Sequence, residues 1–226
     1  MDILTEQDGA ILTLTLNRPD RRNPITDLAM VDALVDALEA ADADPSVRVV
    51  ILTGAGKAFC SGGDLRQMQA GPESLIGDTP QATADNYRKG IQRIPLAMEA
   101  LSVPVIAAVN GAAIGAGCDL TCMCDLRVAS TSAVFAESFV KLGLIPGDGG
   151  AWLLPRIVGF SRAAEMALTG DKIDAETALA WGLVSRVVTP EELLPTCHAL
   201  AQRIAENPPG AVGLARKMLR QACDQT

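Results

Sequence analysis

The sequence has few aromatic residues, a single histidine and no excess of positive charge. Aromatic residues make up 3% of the 226 residues, and the formal net charge at pH 7 is −8. Nucleic-acid-binding domains instead present clustered Lys and Arg, often together with aromatic side chains. We therefore expect no nucleic-acid partner. Because His198 is the only histidine and none of the six cysteines forms a CxxC pair, we expect no metal site either.

Long apolar runs are also missing. The first ten residues, MDILTEQDGA, do not combine a basic segment with an apolar one, and no apolar run approaches the roughly 20 residues that span a bilayer. The sequence therefore predicts a cytoplasmic protein without membrane attachment. In such a protein the cysteines are expected to be reduced thiols packed in the core.

Hydrophobic residues make up 49% of the sequence, which is enough for a sizeable core in one large domain or two small ones. Apolar and polar residues alternate on both sides of Asp8–Gly9, and this pattern predicts a β-hairpin. Thr26 is a predicted N-cap, because apolar residues recur at helical spacing after it. Two uninterrupted apolar runs, Val47–Thr53 and Pro104–Val109, predict strands buried on both faces.

The rest of the chain continues to alternate between strands and helices. A helix is predicted from about Ala84 to Leu101, another near GAWLLPRIV, and two more after the expected N-caps Ser161 and Asp174. The last part of the chain is predicted to be helical. This alternation indicates the α/β class.

Two stretches of the sequence resemble each other: VVILTGAGKAFCSGGDL and VIAAVNGAAIGAGCDL. Each runs from an apolar strand through glycines to Asp-Leu at a predicted helix start. In the second stretch, Leu120 stands where the dinucleotide-binding fingerprint needs its third glycine. The chain also has no Gly-Lys-Ser/Thr for a Walker loop. The spacing therefore argues against both standard phosphate-binding loops.

Another use of these turns is an oxyanion hole. Backbone N–H groups at a helix start are unpaired and favour negative charge. If the turns face each other, one N–H from CSGGD and one from GAGCD can bind a carbonyl oxygen as it becomes negative, and small residues let a substrate approach the backbone. Similar turns also serve as packing devices in α/β proteins, so the spacing alone leaves both interpretations open.

Segments along nearly the whole chain resemble the enoyl-CoA hydratase/isomerase family, or crotonase superfamily. They are LTLNRPDRRNP, ILTGAGKAFCSGGDL, VPVIAAVNGAAIGAGCDLTCMCDLRVAS, FAESFVKLGLIPGDGG and LTGDKIDAETALAWGLVSRVV. The resemblance implies a spiral of ββα units in residues 1–190, followed by a shortened C-terminal helical segment in residues 191–226. It also implies a homotrimer or dimer of trimers that acts on an acyl-CoA thioester, with coenzyme A as part of the substrate and no separate cofactor.

Positions that match the family's motifs are candidate site residues. The two N–H donors that would hold an enolate oxygen match Gly63 and Ala116. The segment that matches the family's adenine-binding stretch implies four pocket residues, Ala58, Gly62, Asp64 and Leu65. Two basic residues, Arg21 and Arg22, match positions near the CoA phosphates. For the two arginines, a solvated surface position is the alternative.

The acids depart from the hydratase pattern that the resemblance implies. Hydratases of the family use two glutamates, and here those positions hold Asp119 and Phe139. Hydration needs a carboxylate that orients water and an acid that delivers a proton, so the phenylalanine disfavours hydration. Glu137 would share a face with Phe139 on a strand, and its contribution stays open. For Asp119, a charge placed at a helix N-terminus is the alternative.

Asp148, in IPGDGG, is the other candidate acid. The resemblance implies that isomerases of the family shuttle a proton with an aspartate of this loop, one position earlier than Asp148. A double-bond shift needs one such base, and burial beside an apolar tunnel would raise its pKa. The alternative is a turn residue that caps the helix at Gly149 or Gly150. Phe139 and Trp152 are the expected walls of the acyl pocket, unless they are plain core residues.

Three functions remain open at this point. Double-bond isomerisation is preferred, and the alternatives are enoyl-CoA hydration and CoA-thioester binding without catalysis. Nucleic-acid binding, which occurs among relatives of the family, is disfavoured by the acidic charge.

Overall fold

A computed structural model describes residues 1–64 and 75–222. The described strands are β1 (Ile3–Asp8), β2 (Ile11–Leu16), β3 (Val49–Gly54), β4 (Ala58–Cys60), β5 (Val105–Val109), β6 (Ala112–Ile114), β7 (Leu126–Ser130), β8 (Val134–Ala136), β9 (Ile173–Asp174) and β10 (Arg186–Val188). The described α-helices are α1 (Leu28–Ala43), α2 (Pro80–Lys89), α3 (Arg93–Ala100), α4 (Ala116–Met123), α5 (Gly150–Val158), α6 (Phe160–Thr169), α7 (Ala175–Ala180), α8 (Pro190–Ala205) and α9 (Pro209–Ala222). Short 3-10 helices cover Pro19–Arg21 and Ser138–Leu142.

The strands form two sheets. The larger sheet has the order β1-β2-β3-β5-β7-β10, and the smaller one has the order β4-β6-β8-β9. Strands β1 and β2 form the predicted antiparallel hairpin, with Asp8 opposite Ile11. The pairs β3–β5 and β5–β7 in the large sheet and β4–β6 and β6–β8 in the small sheet are parallel. Successive units thus add one strand to each sheet, which confirms the α/β class and the expected spiral.

Strands β3 and β5 of the large sheet are buried on both faces, as their apolar runs predicted. Val50 and Leu52 of β3 belong to the main core, which also contains α1 and α4 residues. Val49 and Ile51 point to the opposite face, where they pack with Leu193 and other residues of α8. A strand covered on both sides needs apolar residues at every position, which explains the uninterrupted runs.

Three predicted boundaries are wrong. The N-cap of α1 is Asp27, whose carboxylate accepts a hydrogen bond from Met30 N, whereas Thr26 accepts one from Asp64 N. The helix predicted for 84–101 is two helices, because the backbone of Gly90 leaves the helical conformation. Helix α6 begins at Phe160, so Ser161 lies inside its first turn. The predicted N-cap of α7, Asp174, is confirmed by its bond from Thr177 N at 2.8 Å.

The C-terminal residues are helical to the end of the described chain. Helix α8 covers the outer face of the large sheet, and α9 is attached through Arg216, which bonds to Asp125 and to backbone carbonyls. The division into 1–190 and 191–226 stays a prediction. Five cysteines are free and buried as expected, and Cys223 lies outside the described residues. Within residues 1–64 and 75–222, no helix has the length and apolarity to cross a membrane.

Candidate active site

The two glycine turns of the repeated stretches lie side by side. Strand β4 pairs with β6 in parallel, so the turns that follow them meet at the same edge of the small sheet. Gly62 has φ +78°, and a Cβ there would overlap the Ile114 carbonyl oxygen and lie 3.1 Å from Ala116 N. A Cβ at Gly117 would likewise overlap the Cys60 carbonyl. At these two positions glycine permits the turns to pack against each other.

Hydrogen bonds fix the peptide groups that carry the two predicted N–H donors. The Gly62 carbonyl accepts from Ile25 N at 2.9 Å, and the Gly115 carbonyl accepts from Cys118 N at 2.7 Å and Asp119 N at 3.0 Å. In a trans peptide the N–H points away from the preceding carbonyl, so the N–H groups of Gly63 and Ala116 point away from these bonds. Neither has an acceptor among the described residues.

Asn23 supports the first turn and was missed in the sequence. Its side chain is fully buried and donates to the carbonyls of Ala55 and Ala58 at 2.9 Å, while its Oδ1 accepts from Arg18 N at 2.8 Å. The neighbouring Arg22 carbonyl accepts from Ser61 N at 2.9 Å. Asn23 has φ +55°, a conformation that asparagine tolerates better than most residues. The only sequence signal was the turn-forming dipeptide Asn-Pro.

Three buried acids lie behind the second turn. Asp119 is in the first turn of α4, Glu137 follows β8, and Asp148 precedes α5. Their exposed fractions are 0%, 1% and 2%, and no cation or N–H group of another described residue bonds to their carboxylate oxygens. Since Glu137 follows the strand and Phe139 lies in a 3-10 helix, the expected strand alternation does not relate them.

Burial raises the pKa of all three carboxyl groups. For Asp119, the pKa is raised well above its usual value, first by burial and then by the charges of Asp148 and Glu137. The pKa of Glu137 is raised to about 7, again mainly by burial. Burial also raises the pKa of Asp148, although its contact with Asp119 acts in the opposite direction. The cluster therefore holds protons at a pH where ordinary carboxyl groups are ionised.

The start of α5 holds Asp119 in place. A Cβ on Gly150 would overlap the Asp119 carboxyl group, so this carboxyl occupies the space of the missing side chain. Helix α5 has Gly149 as its N-cap and no side-chain capping bond. The alternative in which Asp148 caps this helix is wrong, because Gly149 is the N-cap and no N–H group of α5 bonds to the Asp148 oxygens.

Asp148 also has neighbours that the sequence did not predict. Burial and the Asp148 charge raise the pKa of Tyr87, and burial raises the pKa of Cys60 to about 12, with a smaller contribution from Asp148. The Tyr87 ring lies against Gly147, and Gln92 Nε2 donates to the Gly147 carbonyl at 2.6 Å. Helix α2 and the start of α3 thus support the loop that carries Asp148. No sequence pattern linked these distant segments.

Of the two expected pocket walls, Trp152 lines the cavity described below and Phe139 does not. The Phe139 ring lies over Gly115, with Cζ 3.6 Å from the position that a Cβ would take. Trp152 lines a cavity of about 750 Å³ between α3, α4, α5 and α9, and it is 51% exposed. Among the described residues, Phe139 is not part of that lining. Phe139 therefore lies at the second turn, whereas Trp152 lies on the other side of α5.

The predicted CoA-contact residues surround the first turn. Arg21 forms an ion pair with Asp64, whose side chain is 12% exposed, and Arg22 is exposed beside it. Ala58 is buried in β4, and Gly62 lies in the turn itself. Leu65 lies outside the described residues. The Arg21 pair shows that at least this arginine is not simply solvated.

Comparisons with known proteins agree with this arrangement. Residues 6–226 match the family model described as enoyl-CoA hydratase/isomerase. The chain is 39% identical to 1,2-epoxyphenylacetyl-CoA isomerase of Escherichia coli, covering 97% of the chain and 82% of that protein. It is 36% identical to short-chain-enoyl-CoA hydratase of Clostridium acetobutylicum, covering 99% and 83%. A monofunctional enoyl CoA isomerase from M. smegmatis superimposes with a TM-score of 0.83 at 36% identity, covering 100% and 95%.

The chain belongs to the enoyl-CoA hydratase/isomerase family, the crotonase superfamily. It is an enzyme of this family that acts on CoA thioesters, and the proteins to which it is similar include both isomerases and hydratases.

Proposed function

We propose that this protein moves a carbon–carbon double bond within an acyl-CoA thioester. The Asp148 carboxyl group is the observation that supports this most directly. It is 2% exposed, has no donor among the described residues, and lies beside a second buried acid, Asp119. A buried carboxyl with a raised pKa can both take a proton from carbon and return it near neutral pH.

The backbone supplies the complementary group. In the proposed reaction the N–H groups of Gly63 and Ala116 donate to the thioester oxygen, which becomes negative as the dienolate forms. Asp148 removes a proton from the α-carbon, and the C–H electron pair enters the dienolate. A proton then adds to the γ-carbon with help from Asp119, and the double bond lies between the α- and β-carbons. No external reactant is consumed.

The CoA part is proposed to bind at the first turn, with the adenine near Ala58, Gly62 and Asp64 and the phosphates near Arg21 and Arg22. The position of Arg21 beside Asp64 supports this assignment. A homotrimer or a dimer of trimers remains our proposal for the assembly.

Hydration is the second candidate. Glu137 follows Ala136, whose carbonyl accepts from Gly115 N at 2.7 Å just before α4. Two carboxyl groups, those of Glu137 and Asp119, are therefore available for a water molecule, although Phe139 occupies the usual second position. The 36% identical short-chain-enoyl-CoA hydratase supports the same possibility. We prefer isomerisation because it gives Asp148 a role, whereas the two-acid hydratase pattern does not include this position.

The test uses matched 2-enoyl and 3-enoyl CoA thioesters in heavy water, with products followed by NMR. We expect the double bond to move, with deuterium at the shifted carbons. Asp148→Asn should slow this reaction by about 10²-fold or more, whereas the exposed Asp85→Asn should leave it unchanged. A 3-hydroxyacyl product would instead establish hydration. Unchanged substrate without exchange at the α-carbon would contradict both reactions and favour a binding protein.

A further inference from the structure

Glu137 has no role in the proposed reaction, yet its environment is unusual for a glutamate. The side chain is 1% exposed, and within residues 1–64 and 75–222 no N–H or hydroxyl group donates to either oxygen. An ionised carboxylate without a partner is costly to bury. An ionised Glu137 therefore needs neighbouring protons, and Asp119 and the Cys118 thiol are the groups placed to supply them.

Asp119 is the middle member of the acid cluster. Its carboxyl group lies against Gly150, two residues after Asp148. Glu137 follows Ala136, whose carbonyl accepts from Gly115 N at 2.7 Å just before α4. Hydrogen bonding with Asp119 lowers the pKa of both Glu137 and Asp148. Two ionised carboxylates can only accept hydrogen bonds, so each contact becomes a hydrogen bond when one partner is protonated. A proton on Asp119 can form a hydrogen bond to Glu137 or to Asp148. A proton on Glu137 or on Asp148 can form a hydrogen bond only to Asp119.

The packing keeps Asp119 in this middle position. The space beside Gly150 is filled by the Asp119 carboxyl group, and Glu137 approaches from the segment after β8. Among the described residues, the other titratable groups that act on Asp119 or Glu137 are Cys118 and Cys122 of α4. Cys60 and Tyr87 act with Asp148 at the far side. No described cation bonds to the cluster.

We propose that Glu137 is a positioning residue that acts through Asp119: its carboxylate keeps Asp119 protonated, so that Asp119 is the acid and Asp148 the base of the reaction. This assignment rests on the proposed isomerisation. The Asp119 proton is donated to the γ-carbon of the dienolate. The proton that Asp148 has taken from the α-carbon then passes to Asp119 across their contact, so the cluster returns to its starting state.

The decisive experiment follows the Asp119 carboxyl group directly. In protein labelled with ¹³C at aspartate side chains, the carboxyl shift is titrated in the unmodified chain and in Glu137→Gln, with Asp119→Asn used for assignment. Glutamine cannot carry the negative charge, so we expect the Asp119 titration midpoint to fall by about one pH unit or more. Glu137→Asp, which keeps the charge, should restore most of the midpoint. An unchanged midpoint in Glu137→Gln would overturn the proposal.

The pH profile of kcat gives a second reading. In Glu137→Gln, activity at high pH should be lost at least about one unit earlier than in the unmodified chain, with KM changed less than about twofold. The exposed Glu176→Gln is the matched control and should leave the profile unchanged. A uniform loss at all pH values would indicate a merely structural role and contradict the proposal. If the unmodified chain does not isomerise, the proposed function fails, while the NMR titration still decides the role of Glu137.

Discussion

Asp64 and Asp119 take the same place in the two repeated stretches, but their surroundings are opposite. The Asp64 side chain is 12% exposed and forms an ion pair with Arg21, and its backbone N–H donates to Thr26 Oγ1 at 3.3 Å. Asp119 is fully buried and has no donor among the described residues. A nearby positive charge favours an ionised carboxyl, whereas burial beside other acids favours a protonated one. One motif thus produces two acids with different chemistry.

The difference shows where the chemistry of this site originates. The repeat supplies the backbone: a parallel strand pair, two adjacent turns and one free N–H at each. The side chains that determine the state of each aspartate come from elsewhere. Arg21 comes from the segment before α1, and Glu137 and Asp148 come from the unit that follows the second turn. Substitution of Arg21 should therefore alter the first turn alone, and substitution of Glu137 or Asp148 should alter the second turn alone.

Exchanging each aspartate for asparagine is expected to give the largest contrast. In Asp119→Asn, the site loses the carboxyl that contacts both other acids, and kcat for the double-bond shift should fall by about 10²- to 10⁴-fold. Asp64→Asn should change kcat only a few-fold, because its side chain pairs with Arg21 rather than with the acids. Steady-state kinetics with one CoA thioester measures both. Equal losses in the two variants would remove the distinction between the turns.

Adding one methyl group at Gly150 should give the next largest effect. Its Cβ would overlap the Asp119 carboxyl, so Gly150→Ala has to displace this acid. We expect kcat to fall by about 10-fold or more and the free energy of unfolding to fall by about 1–3 kcal/mol, as for other overpacked cores. Gly210→Ala is the control, because a Cβ there meets nothing within 4 Å. Full activity of Gly150→Ala would show that the position of Asp119 does not matter.

The fold could be predicted from the sequence further than the site. Apolar runs and the repeat indicated the buried parallel strands, because a strand covered on both faces permits few polar residues. The helix break at Gly90 was missed because the apolar spacing continues across it, although Pro95 disfavours one longer helix and is tolerated here only because it lies in the first turn of α3. The close contact at Gly62 and Gly117 was not predicted, because it joins two turns that are distant in sequence.

The acids show the same limit. Asp119 and Asp148 were found through a resemblance, but their contact depends on tertiary packing that no spacing reveals. Asn23 and Tyr87 gave almost no signal, because each acts on a turn or loop far from it in the chain. Local patterns thus predicted elements and turns. The partners of each charged group required the structure.

Removal of Arg21 should give the smallest effect and tests the first turn alone. An exposed ion pair contributes about 0.2–1 kcal/mol, so Arg21→Ala should lower the free energy of unfolding by less than about 1 kcal/mol. If Arg21 turns from Asp64 to a CoA phosphate on binding, the KM for a CoA thioester should rise several-fold in Arg21→Ala, and added salt should weaken binding less than in the unmodified chain. In Asp64→Asn the KM should stay constant or fall, because Arg21 no longer has to leave a carboxylate. A rise of KM to the same extent in both variants would mean that the intact pair, rather than a free guanidinium, is what binds the substrate.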